Sequence, residues 1–439
     1  MKASQQPGFL HTIQEYFIKD HRYSYITLVV LCLFAYFPTF NNQFQNFWDD
    51  QWVVINTYTT DGFALANVKR ILSEYYHGQY APVNQLFYTL LFKLFGYNPF
   101  WFHAACLGIH VLNASLIFSF IKRLLLLSNE FAESSIWRLA FFTSLLFAIH
   151  PFLVEAVAWV SASKILLYAL FYLIALHYYL RYTISLKLRY YLLALFFYIV
   201  SFGAKEQAVT FPVFVILIDY VSKRNLKDPQ VWLEKLPIIV LTISFGIFTM
   251  LSQAATGSGA LSTEASYPFG QRVIFASYAL FEYLFKCIIP YKLSYLYPFP
   301  NVVGQAVPPR FWPYPVALVV IIICLWSFLK QKWVAFGLLF FLIHIAVALH
   351  IIPISRFAIV ADRYVYLASA GVFFVMALLL DKAVALLPKY KILFTTLIVI
   401  YVCALALYTN SYVKHWHDTD TLKKEVTELL KQRPDYKAQ

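Results

Sequence analysis

A chain of 439 residues in which 61% of side chains are hydrophobic and 13% charged carries too little charge for a soluble protein, where about a quarter of residues are charged. The net charge of +13 would suggest nucleic acid in a soluble protein. Here the lysines and arginines fall in short clusters between apolar runs, with no basic stripe interleaved with aromatics, which excludes a nucleic-acid face and fits cytoplasmic loops against anionic lipid headgroups. The composition predicts an all-α polytopic membrane protein.

In chain order, residues 1–23 are largely polar and read as a cytoplasmic N-terminal segment. The run after them lacks a small-residue cleavage site, so it reads as an anchor and not as a signal peptide. Apolar stretches near the ~20 residues that cross a bilayer predict about 11 transmembrane helices within one domain, 24–409. They fall at about 24–40, 100–121, 137–151, 165–181, 190–204, 207–221, 236–252, 312–329, 333–352, 364–380 and 391–409. The lysine and arginine clusters between them place the N-terminus inside and the C-terminus outside. Two outer loops are long, 41–99 and 253–311. Each holds an apolar segment, Ala81–Gly96 and Arg272–Ile289, that fits an interfacial helix better than a crossing. The Gly/Ser/Thr-rich ATGSGALSTEASYP in the second loop reads as a lid or disordered stretch. Residues 410–439 read as an extracytoplasmic amphipathic helix, with His415 and His417 in an exposed turn about Trp416. All five cysteines lie in apolar runs without a CxxC, so neither a disulfide nor a zinc finger is expected.

Ionisable groups at membrane depth are costly and mark functional cavities. They gather on the proposed outer side: Asp49 and Asp50 in NFWDDQW; His150, Glu155 and Lys164 in HPFLVEAVAWVSASK; Lys205 and Glu206 in FGAKEQ; and Arg356, Asp362, Arg363 and Tyr364 in ISRFAIVADRY. The inner side shows no such set beyond ordinary loop lysines. Arginine and lysine at that depth suit a lipid-linked phosphate, and a carboxylate suits removal of a proton from an acceptor hydroxyl. The implied reaction is group transfer from a lipid phosphate carrier to a hydroxyl. Plainer roles compete with each assignment. His150 before Pro151 caps a helix end, Glu155 pairs with Lys164, Lys205 neutralises Glu206, Arg363 snorkels to headgroups, and His103 and His110 pack within one helix face.

The stretches NFWDDQWVVIN, YAPVNQLFYTLLFKLFGYNPFWFHAACLGIHVLNA, FAIHPFLVEAVAWVSASKILLYALF, FGAKEQAVTFPVFVILIDY and ADRYVYLASAG resemble the glycosyltransferase C (GT-C) superfold. Within it they resemble the transmembrane and tetratricopeptide-repeat-containing, protein O-mannosyltransferase-like proteins and their bacterial relatives. The resemblance implies a polyprenyl-phosphate-sugar donor, usually of mannose, an acceptor Ser or Thr hydroxyl, and inversion at the sugar. It implies that Asp49 or Asp50 is the base, and that Arg363, Lys205 and Lys164 hold the lipid phosphate, with Arg356 a further cation of the same loop. His150, Glu155, Glu206, Asp362 and Tyr364 would support the site. In some relatives an acid of this loop binds a divalent metal, so magnesium or manganese at Asp49 or Asp50 is the one cofactor the resemblance brings. The chain departs from the pattern at Ser163, where an Arg is common, at Ile165 (Asp) and at Ala368 (Pro). Only the opening helix of one repeat resembles the tetratricopeptide array, and one repeat cannot bury its own face. Acceptor recognition then falls to the outer loops or to a separate subunit.

The expectation is a membrane glycosyltransferase of the bacterial inner membrane with its site facing the periplasm. Its partners would be a polyprenyl-phosphate-linked sugar, a protein or glycan acceptor and membrane lipids, with no nucleic acid. The rivals are a transporter or flippase of lipid-linked sugars, for which inverted repeats are missing; a membrane scaffold docking through its tail; and glycan transfer to a lipid or polysaccharide.

Overall fold

Apolar runs in lipid must satisfy their own backbone groups, and a helix does so within one segment. The computed structural model, which describes residues 21–46, 48–254, 266–352 and 358–431, follows that rule throughout. In chain order the helices used below, with several shorter ones between them, are α1 (Arg22–Tyr36), the short α2 (Asp50–Val53), α3 (Pro82–Phe95), α4 (Pro99–Ser128), α5 (Glu133–Ile149), the short α6 (Val154–Ala158), α7 (Ser163–Ser185) and α8 (Leu188–Ala204). They continue with α9 (Phe211–Val221), α10 (Leu236–Ala254), α11 (Phe269–Ile288), α12 (Pro313–Cys324), α13 (Lys332–Ile345), α14 (Ser369–Leu386), α15 (Lys391–Tyr412) and α16 (Thr419–Lys431). Two short strands, β1 (Tyr297–Pro298) and β2 (Ala358–Val360), pair antiparallel. The protein is an all-α, multi-pass membrane protein.

Each of the eleven expected apolar segments is helical. Among the described residues, six helical stretches are long and apolar enough to cross a membrane, or seven when Glu133–Ile149 and Pro151–Ala158, bent by 58° at their junction, count as one span. Helices α8, α12 and α13 are apolar but shorter, and α9 has 11 residues. Eleven full crossings were expected; length and apolarity support six or seven. The two segments expected in the interface fold as α3 and α11. The Gly/Ser/Thr-rich stretch expected to be a lid falls mostly on 255–265, outside the described residues, as do most of the N-terminal segment, Arg356 and the end of the tail.

Proline at the first turn and a left-handed residue after the last turn fix several helix ends. Pro99 opens α4 behind Asn98, whose side chain accepts from the Phe100 N–H at 3.1 Å, and Asn129 at φ 54° closes it. Leu186 at φ 54° closes α7. Helices α13 and α14 touch backbone to backbone where Gly337 meets Gly371. A Cβ on Gly371 would stand 2.3 Å from the Gly337 carbonyl oxygen, so only glycine permits this approach, as is usual for membrane helix pairs.

The chain's turns sort to two ends of the bundle. Helix α4 runs from one end to the other, α7 runs from Lys164 to Ser185, and α8 returns to Lys205. At the far end Glu130, between α4 and α5, accepts from Lys332 Nζ at 2.8 Å and from Trp333 Nε1 at 2.7 Å, and pairs with Lys223 Nζ at 2.9 Å. One carboxylate thus staples three turns. Also near this end, Lys235 pairs with Asp219 at 2.6 Å, Arg224 binds Glu234 through two nitrogens, and Tyr179 donates to Asp219. The expectation that only loop lysines occupy that side was wrong. These acids and bases lie far apart in sequence or at helix ends, and they neutralise one another.

The hydrogen bonds from Lys332, Lys223 and Trp333 hold the Glu130 carboxyl down to about 2. A carboxyl held below its unfolded value adds stability that is complete above about 4.5 and is lost as pH falls towards 2. Glu130→Gln is therefore expected to lower stability at pH 7 by about 1 kcal/mol, since the pairs are partly solvated, and to flatten the acid limb below pH 4.5. Thermal melts in detergent from pH 3 to 8 check this; superimposable curves for the two proteins would refute it.

Candidate functional site

Five chain segments meet at the other end of the bundle. They are the loop with Asp49 and Asp50, the bent segment 151–162 after α5, the N-terminus of α7, the turn from α8 into residues 206–210, and the turn 362–365 before α14.

The two adjacent acids occupy different environments. Asp49 precedes the first turn of α2 and Asp50 begins it; neighbouring residues on a helix point about 100° apart. Asp50 is fully buried. Its Oδ1 accepts from the Ser161 N–H at 3.0 Å and from the Ser161 hydroxyl, and its Oδ2 accepts from the Gln45 N–H at 2.7 Å. Burial pushes this carboxyl up to about 6, against the pull of those donors. Both oxygens are thus committed to holding the loop on the bent segment. Asp49 is half-buried, and its carboxylate makes no hydrogen bond or ion pair among the described residues.

Cations face Asp49. Lys164, half-buried at the start of α7, donates to Gln79 Oε1 at 2.8 Å and is attracted by Asp49 and Glu206 while Lys205 repels it. Lys205 is 6% exposed, pairs with Glu206 at 3.1 Å and lies 5.7 Å from the centre of the Tyr364 ring. Arg363 lies over the other aromatic walls, its guanidinium carbon 4.8 Å from the Tyr364 centroid and 5.5 Å from that of Trp159. Its N–H donates to Glu155 Oε2 at 2.7 Å and its Nη1 pairs with Glu155 Oε1. Glu155 is 1% exposed, so this pair binds α6 to the turn before α14.

The sequence-predicted residues come together with one change of partner, and His150 takes its plainer role. Glu155 pairs with Arg363 and not with Lys164. Arg363 does not snorkel but is locked to Glu155. His150 is fully buried and its Nδ1 accepts from the Phe152 N–H at 3.2 Å, so it caps the bend beneath the site. Asp362 is buried beside Glu155 and Tyr297; burial first, and Glu155 second, push its carboxyl well above the usual carboxylate range. Ser163, which stands where an arginine is common, bonds Tyr88 and Asn84 at 2.9 Å each. Ile165 and Ala368 are fully buried in the core.

Sequence reasoning missed the tail's role here. Trp416, expected in an exposed turn, is fully buried and stacks on Trp159 at 5.7 Å. Gln45 Nε2 donates to the Trp416 carbonyl at 2.8 Å, and the Gln43 N–H to that of His417 at 2.7 Å. The end of α15 thus clasps the acidic loop, and the signal available was only a tryptophan in an otherwise polar segment. Ser161, Gln79 and Gln45 also went unnoticed, because serine and glutamine are too common to stand out.

No group of three or more His, Cys, Asp or Glu side chains among the described residues could hold a metal ion. The donor chemistry agrees: both Asp50 oxygens already accept hydrogen bonds and Asp49 has the Lys164 ammonium within electrostatic reach, whereas magnesium wants about six oxygens.

No known family model and no solved structure matches the chain. Among curated proteins it is similar to the human "Protein O-mannosyl-transferase TMTC1", with 27% identity over 203 residues, 41% of this chain. The match covers 22% of that protein, so the chain spans about a fifth of its length.

Proposed function

We propose that the protein is a GT-C-type membrane glycosyltransferase that moves a hexose, mannose first among them, from a polyprenyl-phosphate carrier to an acceptor hydroxyl. The observation that carries this reading is the open carboxylate of Asp49 within electrostatic reach of Lys164, which in turn lies beside Lys205, while Lys205 and Arg363 flank the Tyr364 ring. The partial similarity to a protein O-mannosyl-transferase supports the same class.

In this reading Asp49 accepts the proton of the acceptor hydroxyl as it attacks the anomeric carbon. The bond from that carbon to the phosphate oxygen breaks on the opposite face, so the configuration inverts. Lys205, Lys164 and the free donors of Arg363 stabilise the departing phosphate, and fixed charges of this kind supply much of the rate in a water-poor site. Asp50 positions the loop through Ser161 and Gln45. No step needs a divalent metal. The site would face the periplasm of a bacterial inner membrane, and a further subunit could present the acceptor.

The test is transfer from synthetic polyprenyl-phosphate hexoses by the purified protein in lipid nanodiscs, with peptide, lipid and glycan acceptors. A new glycoconjugate or release of free sugar from the donor is expected. Uptake of labelled lipid-linked sugar into sealed vesicles with neither product would replace the transferase by a transporter.

A further inference from the structure

A cavity at the site's end of the bundle takes no part in the site itself. It is half-open, measures about 290 Å³, and lies between α11, the loop that follows it, β2 and the tail helix α16. Tyr278, Tyr297, Phe311 and Leu429 wall it, and Lys292 and Arg310 line it with them. None of Asp49, Lys164, Lys205 and Arg363 does so. Its size is close to the ~300 Å³ at which pockets for small molecules begin.

The walls are fixed by their own contacts. The Tyr278 and Phe311 rings pack edge to face at 4.8 Å. Tyr297 pairs with Val360 in the two-stranded ribbon, and its hydroxyl accepts from the Ser294 N–H at 2.8 Å. Lys292 stands in a left-handed turn at φ 48°. That conformation costs a residue with a Cβ, and it persists only where the surroundings enforce it. Here the enforcement comes from beneath. The buried Lys286 Nζ donates to the carbonyls of Tyr291 at 2.9 Å and of Lys292 at 3.2 Å. The turn that carries Lys292 to the cavity is thus held in place.

Charge and depth point to the ligand. Lys292 and Arg310 are exposed and form no ion pair among the described residues. Each stands 5.2 Å from a ring centre, that of Tyr291 and that of Phe311. Glu282 acts on Tyr278 together with Arg310, but its carboxylate is paired with Lys286 at 3.4 Å. Tyr291 and Trp312 are exposed aromatics beside the two cations, a pattern of the membrane–water interface. Helix α12, which begins after Trp312, is apolar and has no buried residue, so lipid surrounds it. Arginine grips phosphate oxygens in pairs and lysine adds a point charge.

We infer that this cavity binds the phosphodiester headgroup of an anionic membrane phospholipid, with Lys292 and Arg310 on the phosphate and the first acyl carbons against Tyr297 and Leu429. The inference stands apart from the transferase reading. Leu429 belongs to α16 and Tyr297 to β1, so a bound lipid ties the tail helix to the ribbon that leads into the Asp362–Arg363 turn.

The test titrates the full chain, stripped of lipid in a neutral detergent, with dioctanoyl phosphatidylglycerol, dioctanoyl phosphatidylcholine and inorganic phosphate, and reads binding by calorimetry. Phosphatidylglycerol should saturate, and each of the other two should bind at least about tenfold more weakly, lacking the net charge or the acyl chains. Lys292→Gln and Arg310→Gln should each weaken phosphatidylglycerol roughly fivefold, the worth of one basic residue at an anionic surface, and the double variant should weaken it further. Both residues are exposed, so melting temperatures should stay near that of the unaltered protein. Lys389→Gln with Lys391→Gln removes the same charge at the junction of α14 and α15 and should leave the affinity unchanged. Phosphatidylcholine bound as tightly as phosphatidylglycerol overturns the role of charge, and inorganic phosphate bound as tightly overturns the lipid source. An unaltered affinity in the Lys292, Arg310 double variant, or an equal loss in the distal one, overturns the cavity as the site. The absence of saturable phosphatidylglycerol binding overturns the inference outright.

Discussion

Asp49→Asn is expected to cut glycosyl transfer by about 10²–10⁴-fold, the usual worth of a general base, while leaving the melting temperature near that of the unaltered protein. The carboxylate is half-buried and bonded to nothing among the described residues, so an amide of the same shape removes only the proton acceptor. Asp50→Asn should behave in the opposite way. An Asn amide cannot accept at both oxygen positions, so the buried N–H of Gln45 or of Ser161 loses its acceptor, at about 1–3 kcal/mol. The loop loosens, and activity falls in step with stability. Initial rates and melting curves on both variants decide the matter. A stable, inactive Asp50→Asn beside an active Asp49→Asn would reverse the two roles and dismantle the proposed mechanism.

The second large effect concerns the pair that joins α6 to the turn before α14. Arg363→Lys keeps a positive charge but loses the planar fork that grips Glu155 while offering further donors to a phosphate. Transfer should drop by roughly a hundredfold, with a raised donor KM, as is typical when one fixed charge leaves a site of this type. Arg363→Gln goes further, because it strands the Glu155 carboxylate, 1% exposed, without its counter-ion. Breaking a buried pair in that way costs about 3–5 kcal/mol. The double variant Arg363→Gln, Glu155→Gln removes the stranded charge, so it should recover stability without recovering transfer. Such a cycle separates the two roles of Arg363. Recovery of transfer along with stability would reduce Arg363 to a structural tie.

What the sequence makes legible follows from which forces are local. Apolar runs announce helices, because the need to satisfy backbone groups in lipid depends on nothing distant. Charge rarity singles out Asp49, Lys164, Lys205 and Arg363, and the structure draws these to one end. Eleven full crossings do not follow from length, because α8, α9, α12 and α13 have the right composition but fewer than 18 residues. Partners separated along the chain were not legible: Glu155 lies nine residues from Lys164 but finds Arg363, 208 residues away. Asp49 and Asp50 could not be told apart either, since adjacency in sequence hides the rotation that turns one inward and the other to the site. The tail misled because Trp416 in a polar segment reads as surface, whereas its ring is buried against Trp159, 257 residues earlier.

That clasp between Gln43 or Gln45 and the backbone at Trp416 and His417 imposes an order on biogenesis. Membrane chains are made from one end, with earlier parts structured before later ones appear. The acidic loop emerges early, yet its hold on residues 416 and 417 waits until the chain 371 residues further on has left the ribosome. A partly synthesised, already inserted chain would so be kept silent until the segment after α15 arrives.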